Sequence, residues 1–140
     1  MKARVKWVEG MSFVAESGSG HAVVLDGAPD IGGRNLGARP MELLLMGTGG
    51  CSAIDVMLIL QKARQDVVGC EVELDAERAE SDPKVFTRIR FRYRVSGRNL
   101  SRPHVERAVK LSKEKYCSAS VMLAKTAAIE TEIEVIDLAA

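Results

Sequence analysis

The chain has 140 residues, 46% hydrophobic and 28% charged, with 20 basic and 19 acidic side chains and a formal net charge of +1. This composition fits one ordinary globular domain over residues 1–140 and excludes a low-complexity disordered chain, while the balanced charge gives no overall field to gather nucleic acid, a membrane surface or a polyanion. Three scattered cysteines, at 51, 70 and 117, are too few for a disulfide scaffold, and the N-terminus has no signal-peptide run, so a reducing cytoplasm is the expected compartment.

The first elements read as a meander. Val5 and Trp7 alternate with Arg4 and Lys6, Glu9-Gly10 makes a turn, Met11 to Glu16 resumes an extended run, and Ser17-Gly18-Ser19-Gly20 breaks it before His21 to Leu25. From Asp26 to Arg39 four glycines and a proline mark a long loop.

The next element differs. Pro40 suits a helix's first turn and Glu42 complements its dipole, while Leu43 to Leu60 carries one charge, Asp55. About 20 apolar residues would span a bilayer, but Gly47-Thr48-Gly49-Gly50 and Asp55 interrupt this run, so a buried central helix is expected rather than a membrane span. A helix apolar all round needs cover on every side, and one modest sheet cannot supply it; a homodimer wrapping two such helices is expected.

A hairpin comes next. Glu71, Glu73, Asp75 and Glu77 alternate with Val72, Leu74 and Ala76, and Arg88, Arg90, Arg92 and Arg94 alternate with Ile89, Phe91 and Tyr93. Reversal at Asp82-Pro83 sets Glu77 opposite Arg88, Asp75 opposite Arg90, Glu73 opposite Arg92 and Glu71 opposite Arg94, with Ala76, Leu74 and Val72 opposite Ile89, Phe91 and Tyr93. Alone, the arginines with Phe91 and Tyr93 would suggest a nucleic-acid platform; the facing carboxylates cancel it, and no nucleic-acid partner is expected.

Ser101 stands where it would cap an amphipathic helix from Arg102 to Lys115, with Val105, Ala108, Val109 and Ser112 on one side, and a short helix is expected from Ser118 to Lys125. Ile129, Thr131, Ile133 and Val135 alternate with Glu130, Glu132 and Glu134, predicting a final half-buried strand with an acidic outer face.

Two cysteines stand in positions that suit chemistry. Cys51 comes directly after Gly49-Gly50, whose small size leaves room beside the sulfur, and Cys117 comes after Lys113 and Lys115 at the start of the short helix, where free amides and positive charge are expected to favour its thiolate. The plainer reading, a small buried hydrophobe, is preferred for Cys70 and, taken without further information, for Cys51. No two of Cys51, Cys70, Cys117, His21 and His104 have the close spacing of a structural zinc site, and neither metal nor cofactor is expected.

Pro40-Met41-Glu42-Leu43-Leu44-Leu45-Met46-Gly47-Thr48-Gly49-Gly50-Cys51-Ser52-Ala53-Ile54-Asp55-Val56, with Glu114-Lys115-Tyr116-Cys117-Ser118 at a distance, resembles the two cysteine motifs of the OsmC/Ohr-like proteins. Gln61 to Val68 and the opening Lys2 to Gly10 look closest to the YhfA branch of that family. The resemblance implies an α+β OsmC-like fold, antiparallel sheets wrapped around a long central helix in an intertwined homodimer. It also implies thiol-dependent reduction of organic hydroperoxides in oxidative-stress defence, with Cys51 peroxidatic, Cys117 resolving, and an external dithiol or thiol protein as reductant. In the family a glutamate stands directly after the helix-starting proline and pairs with an arginine beside the thiolate. Here Met41 holds that place and Glu42 the next, Arg39 or Arg34 is the available arginine, and Ser118 replaces a common proline after the second cysteine. The alternative is a non-catalytic dimer of the same fold that binds a small apolar ligand or senses redox state.

Overall fold

A computed structural model describes residues 1–139 as two compact units, Met1–Leu44 and Leu45 onward. The first unit is a three-stranded antiparallel meander, β1 (Ala3–Glu9), β2 (Ser12–Ser17) and β3 (Ala22–Asp26), as the alternation predicts. Its loop, which contains a single 3-10 turn at Pro29–Ile31, is closed on the sheet by Asp26. One carboxylate oxygen of Asp26 accepts the Gly27 amide (2.8 Å), and the other accepts those of Arg34 (3.0 Å) and Leu36 (3.2 Å). Gly33 passes so close to the Gly27 carbonyl that a Cβ there would overlap it.

The second unit is a three-stranded sheet of order β4 (Asp66–Arg78), β5 (Phe86–Arg98) and β6 (Ala128–Asp137), covered by helices. The β4–β5 register is the one the charge and apolar patterns predict: Glu71↔Arg94, Glu73↔Arg92, Asp75↔Arg90 and Glu77↔Arg88, with Val72↔Tyr93, Leu74↔Phe91 and Ala76↔Ile89. β6 runs parallel to β5 and sets Glu130, Glu132 and Glu134 beside the same arginines, so the basic row lies between two acidic ones. Arg94 bonds Glu134 at 2.9 Å and Glu71 at 3.5 Å, and Arg92 bonds Glu132 at 3.2 Å. These pairs are about half exposed, where each contributes about 0–1 kcal/mol; their effect is on register more than on stability.

Helix α1 (Pro40–Lys62) is long and apolar enough to cross a membrane by length and composition alone. Its buried residues, however, form a stripe of helical spacing, Thr48, Ser52, Val56 and Leu60, with Gly49 beside it. A Cβ on Gly49 would meet the Leu74 side chain, so the glycine lets helix and sheet approach. Val56 and Leu60 are fully buried, as are Ile89, Phe91, Tyr93 and Val95 on β5 to within 1%; each such side chain contributes about 1.5–3 kcal/mol of burial. The outward residues Met46, Ile54 and Leu58 are 61%, 62% and 50% exposed in the single chain.

The connection from β5 to β6 carries α2 (Arg102–Leu111) and α3 (Ser118–Leu123). Val105, Ala108, Val109 and Ser112 are buried as expected. Two expectations need correction. The regular helix ends at Leu111 rather than Lys115 and widens into one π turn over Ser112–Tyr116. Ser101 occupies the N-cap without a side-chain capping bond; its hydroxyl bonds His104 Nδ1 at 2.8 Å.

Replacing Asp26 by Asn leaves one oxygen for three amides, so hydrogen exchange at Gly27, Arg34 and Leu36 is expected to accelerate while the β4–β5 amides keep their protection. Unchanged exchange at all three would contradict the anchoring role. The bond from the Arg34 amide, with those of Leu36 and Gly27, holds the Asp26 carboxyl below its ordinary value against the opposing effect of burial. The contribution is thus present above the ordinary carboxylate range and is lost as pH falls through the lower folded value.

Candidate functional site

Three side chains of the second unit converge. Cys51 and Asp55 lie one turn apart on α1, and Cys117 is the N-cap residue of α3; their two sulfurs and a carboxylate oxygen all lie within 4.8 Å of one another. Cys51 is half-buried and Cys117 fully buried. The π turn ends at Cys117, whose amide donates to the Ser112 carbonyl at 2.9 Å. A widened turn shifts the register of the downstream residues by one, and such turns recur at functional sites.

Cys117 Sγ accepts hydrogen bonds from the Ser120 amide (3.4 Å) and hydroxyl (3.0 Å) and donates to the Thr48 carbonyl (3.9 Å). Burial pushes its thiol pKa up; the Ser120 bonds pull it back in part, and the neighbouring Cys51 raises it further, both through their shared hydrogen bond and through charge. The expectation that the nearby lysines and the helix start would favour this thiolate is therefore corrected. The helix-start amide is present in the bond from Ser120, but desolvation is larger. Cys70, in the β4 ladder opposite Val95, is also pushed up by burial.

Beneath the cluster runs a chain of hydroxyls that sequence reasoning missed. Tyr93 Oη lies 2.5 Å from Ser52 Oγ, Ser52 Oγ 2.8 Å from Ser112 Oγ, and Ser112 Oγ donates to Asp55 Oδ2 at 3.3 Å. A carboxylate only accepts, so the chain satisfies every member when each hydroxyl donates toward Asp55. Asp55 is visible in the sequence as the one charge of an apolar helix, four residues after Cys51; nothing in the sequence points to Ser52, Ser112 or Tyr93.

Asp55 also lines a pocket of about 500 Å³ with Leu58, Ile59, Lys62, His104, Leu111 and Tyr116 among its walls. Arg107 also lines it. Glu42 and Arg39 belong to the first unit. Glu42 Oε1 accepts the Arg39 amide at 2.8 Å, a helix-capping bond, and the Arg39 guanidinium donates to Asn35 Oδ1 (2.8 Å) and the Gly37 carbonyl (3.2 Å). Arg34 pairs with Glu9 at 3.6 Å.

Burial pushes Tyr93 up to about 12, with Ser52 opposing. The fold therefore favours the protonated phenol: its contribution is complete below the ordinary tyrosine value of about 10 and is lost as pH rises toward the folded value. Tyr93→Phe is expected to flatten the alkaline fall of thermal stability over that window while costing about 1–3 kcal/mol at neutral pH through the unpaired Ser52. An unaltered alkaline limb in the variant would refute this origin.

With this geometry in view, comparison with known proteins is informative. The family model described as OsmC-like protein matches residues 32–132. Protein YhfA of Escherichia coli K12 is 52% identical over 139 residues, covering 97% of this chain and 98% of the relative. A crystal structure of a hypothetical protein from Aquifex aeolicus superposes with a TM-score of 0.85 at 30% identity, covering 96% of this chain and 94% of that one. The organic hydroperoxide resistance protein OhrB of Bacillus subtilis shares the fold at a TM-score of 0.63 and 19% identity, covering 96% and 98%.

Proposed function

The chain belongs to the OsmC-like family, and from that premise we propose that it is a thiol peroxidase reducing organic hydroperoxides with Cys51 and Cys117. The observation that carries the reading is the approach of two sulfurs 66 residues apart in sequence to within 4.8 Å, beside a pocket. Related proteins of this fold are named for organic hydroperoxide resistance, which supports a redox or peroxide-resistance role.

The chemistry closes in three steps. Cys51 sulfur attacks one peroxide oxygen, the O–O bond breaks, the thiol proton goes to the departing alkoxide, and Cys51 becomes a sulfenic acid. Cys117 sulfur then attacks Cys51 sulfur, water leaves, and a disulfide forms. An external dithiol or thiol protein restores both thiols by exchange. Cys51 is assigned the first role because it is the more accessible sulfur, while Cys117, buried and held up in pKa, waits as the resolving thiol. The organic part of the peroxide would lie against Leu58, Ile59 and Leu111. Glu42 and Arg39, from the start of α1, are assigned supporting roles through the helix cap they share. The cytoplasm, where reduced thiols persist, is the compartment this cycle needs.

We also assign the protein to a homodimer, the common state of OsmC/Ohr proteins. Met46, Ile54 and Leu58 on α1, and Val5, Trp7 and Val8 on β1, are each half or more exposed in one chain, more large apolar surface than a monomer usually leaves bare.

One equivalent of an alkyl hydroperoxide is expected to consume two thiols per chain and give a Cys51–Cys117 disulfide on peptide mapping. Cys117→Ser should trap a dimedone-reactive sulfenic acid on Cys51, and Cys51→Ser should be inert. Survival of all thiols in the wild type would sink the peroxidase. For the dimer, sedimentation of Ile54→Glu should show a smaller species than the wild type, and an identical mass for both would remove α1 from the interface.

A further inference from the structure

The same cluster holds a combination the peroxidase cycle does not require: two thiols and a carboxylate, with the carboxylate fixed in place by a hydroxyl chain. The Asp55 charge sits within 4.8 Å of both sulfurs. A divalent cation among the three would be held by all of them, because coordination stabilises thiolate and carboxylate together.

We infer that Cys51, Asp55 and Cys117 form a binding site for a thiophilic divalent cation of the Zn²⁺ class in the reduced protein. The donor set selects the ion: two sulfurs and one oxygen suit zinc and disfavour magnesium and calcium, which take oxygen ligands. The geometry fits with a small contraction. With Zn–S of about 2.3 Å and Zn–O of about 2.0–2.2 Å, tetrahedral ligand atoms lie roughly 3.5–3.8 Å apart, and the three atoms here lie within 4.8 Å. Two ligands come from successive turns of one rigid helix and the third from the N-cap of another.

The surroundings are those a metal site needs. Ser112 orients Asp55 and is itself held by Ser52 and Tyr93, and Ser120 donates twice to the Cys117 sulfur. Asp55 lines the 500 Å³ pocket, and the fourth tetrahedral position would fall to water. Binding replaces two thiol protons: Zn²⁺ plus two thiols and a carboxylate give the complex and two protons. A disulfide between the same sulfurs removes both thiolates, so metal and disulfide exclude one another, and bound zinc shields the pair from peroxide.

The test uses the reduced full-length protein and ZnCl₂ alone, in competition with a chromophoric chelator, with CoCl₂ as the spectroscopic probe. Expected are one metal per chain, about two protons released per metal, and a thiolate-to-cobalt charge-transfer band. Ser112→Ala should weaken binding about 10–100-fold, Asp55→Asn by more, and the Cys51→Ser/Cys117→Ser double variant should abolish it. The same wild-type chain oxidised with diamide, which requires no peroxide chemistry, should bind none and controls for misfolding of the variants. Well under one metal per chain, a cobalt spectrum without the thiolate band, or full binding by the double variant would overturn the site. None of these readings involves a hydroperoxide, so a failed peroxidase assay and a failed metal titration are separate results.

Discussion

The packing of one polar-and-small stripe of α1 against β5 and the π turn governs the rest of the second unit. Along Thr48, Ser52, Val56 and Leu60 the helix buries two hydrophobes at one end and two hydroxyl residues at the other. The hydrophobes supply most of the burial energy. The hydroxyls fix where along the sheet the helix stops, because Ser52 must meet both Tyr93 and Ser112, and an error of one residue would leave buried oxygens unpaired at about 1–3 kcal/mol each. Cys51 and Asp55 flank that contact on the same helix, so the placement of both is set by the placement of Ser52.

The β4–β5 hairpin is legible in the sequence to the residue, because two independent alternations, one of charge and one of apolar side chains, demand the same register. The parallel pairing of β6 is not, although its acidic row is, since an alternation states which face a strand buries and not which neighbour it joins. The site is legible in part. Resemblance and local setting single out Cys51 and Cys117, but their approach depends on a crossover through two helices that no spacing reveals. The Lys113 and Lys115 neighbours of Cys117 suggest a favoured thiolate; sequence adjacency carries no information about desolvation, which proves the larger effect. In the sequence Ser112 is one more residue of an apolar helix face. Its role depends on the π turn, whose extra residue the 3.6-residue period cannot anticipate.

Arg39 and Glu42 serve the start of α1. The bonds they make are local: the Arg39 amide to Glu42, and the guanidinium to the loop at Asn35 and Gly37. Together they start α1 cleanly after a glycine-rich loop that Asp26 ties down.

Charge balance links the redox and metal readings. A buried dithiol beside a carboxylate is at ease when neutral, when oxidised to a disulfide, or when a cation neutralises it; the state it resists is the free dithiolate. Peroxide chemistry passes through only one thiolate at a time and ends in the neutral disulfide, so it needs no permanent counter-charge on Cys117. Metal binding deprotonates both sulfurs at once and brings its own two charges. Asp55 would join the coordination of a filled site. The hydroxyl chain that holds it at the cluster, at the cost of burying three hydroxyl oxygens, is easier to account for if the carboxylate is a ligand than if it were only a bystander to sulfur chemistry.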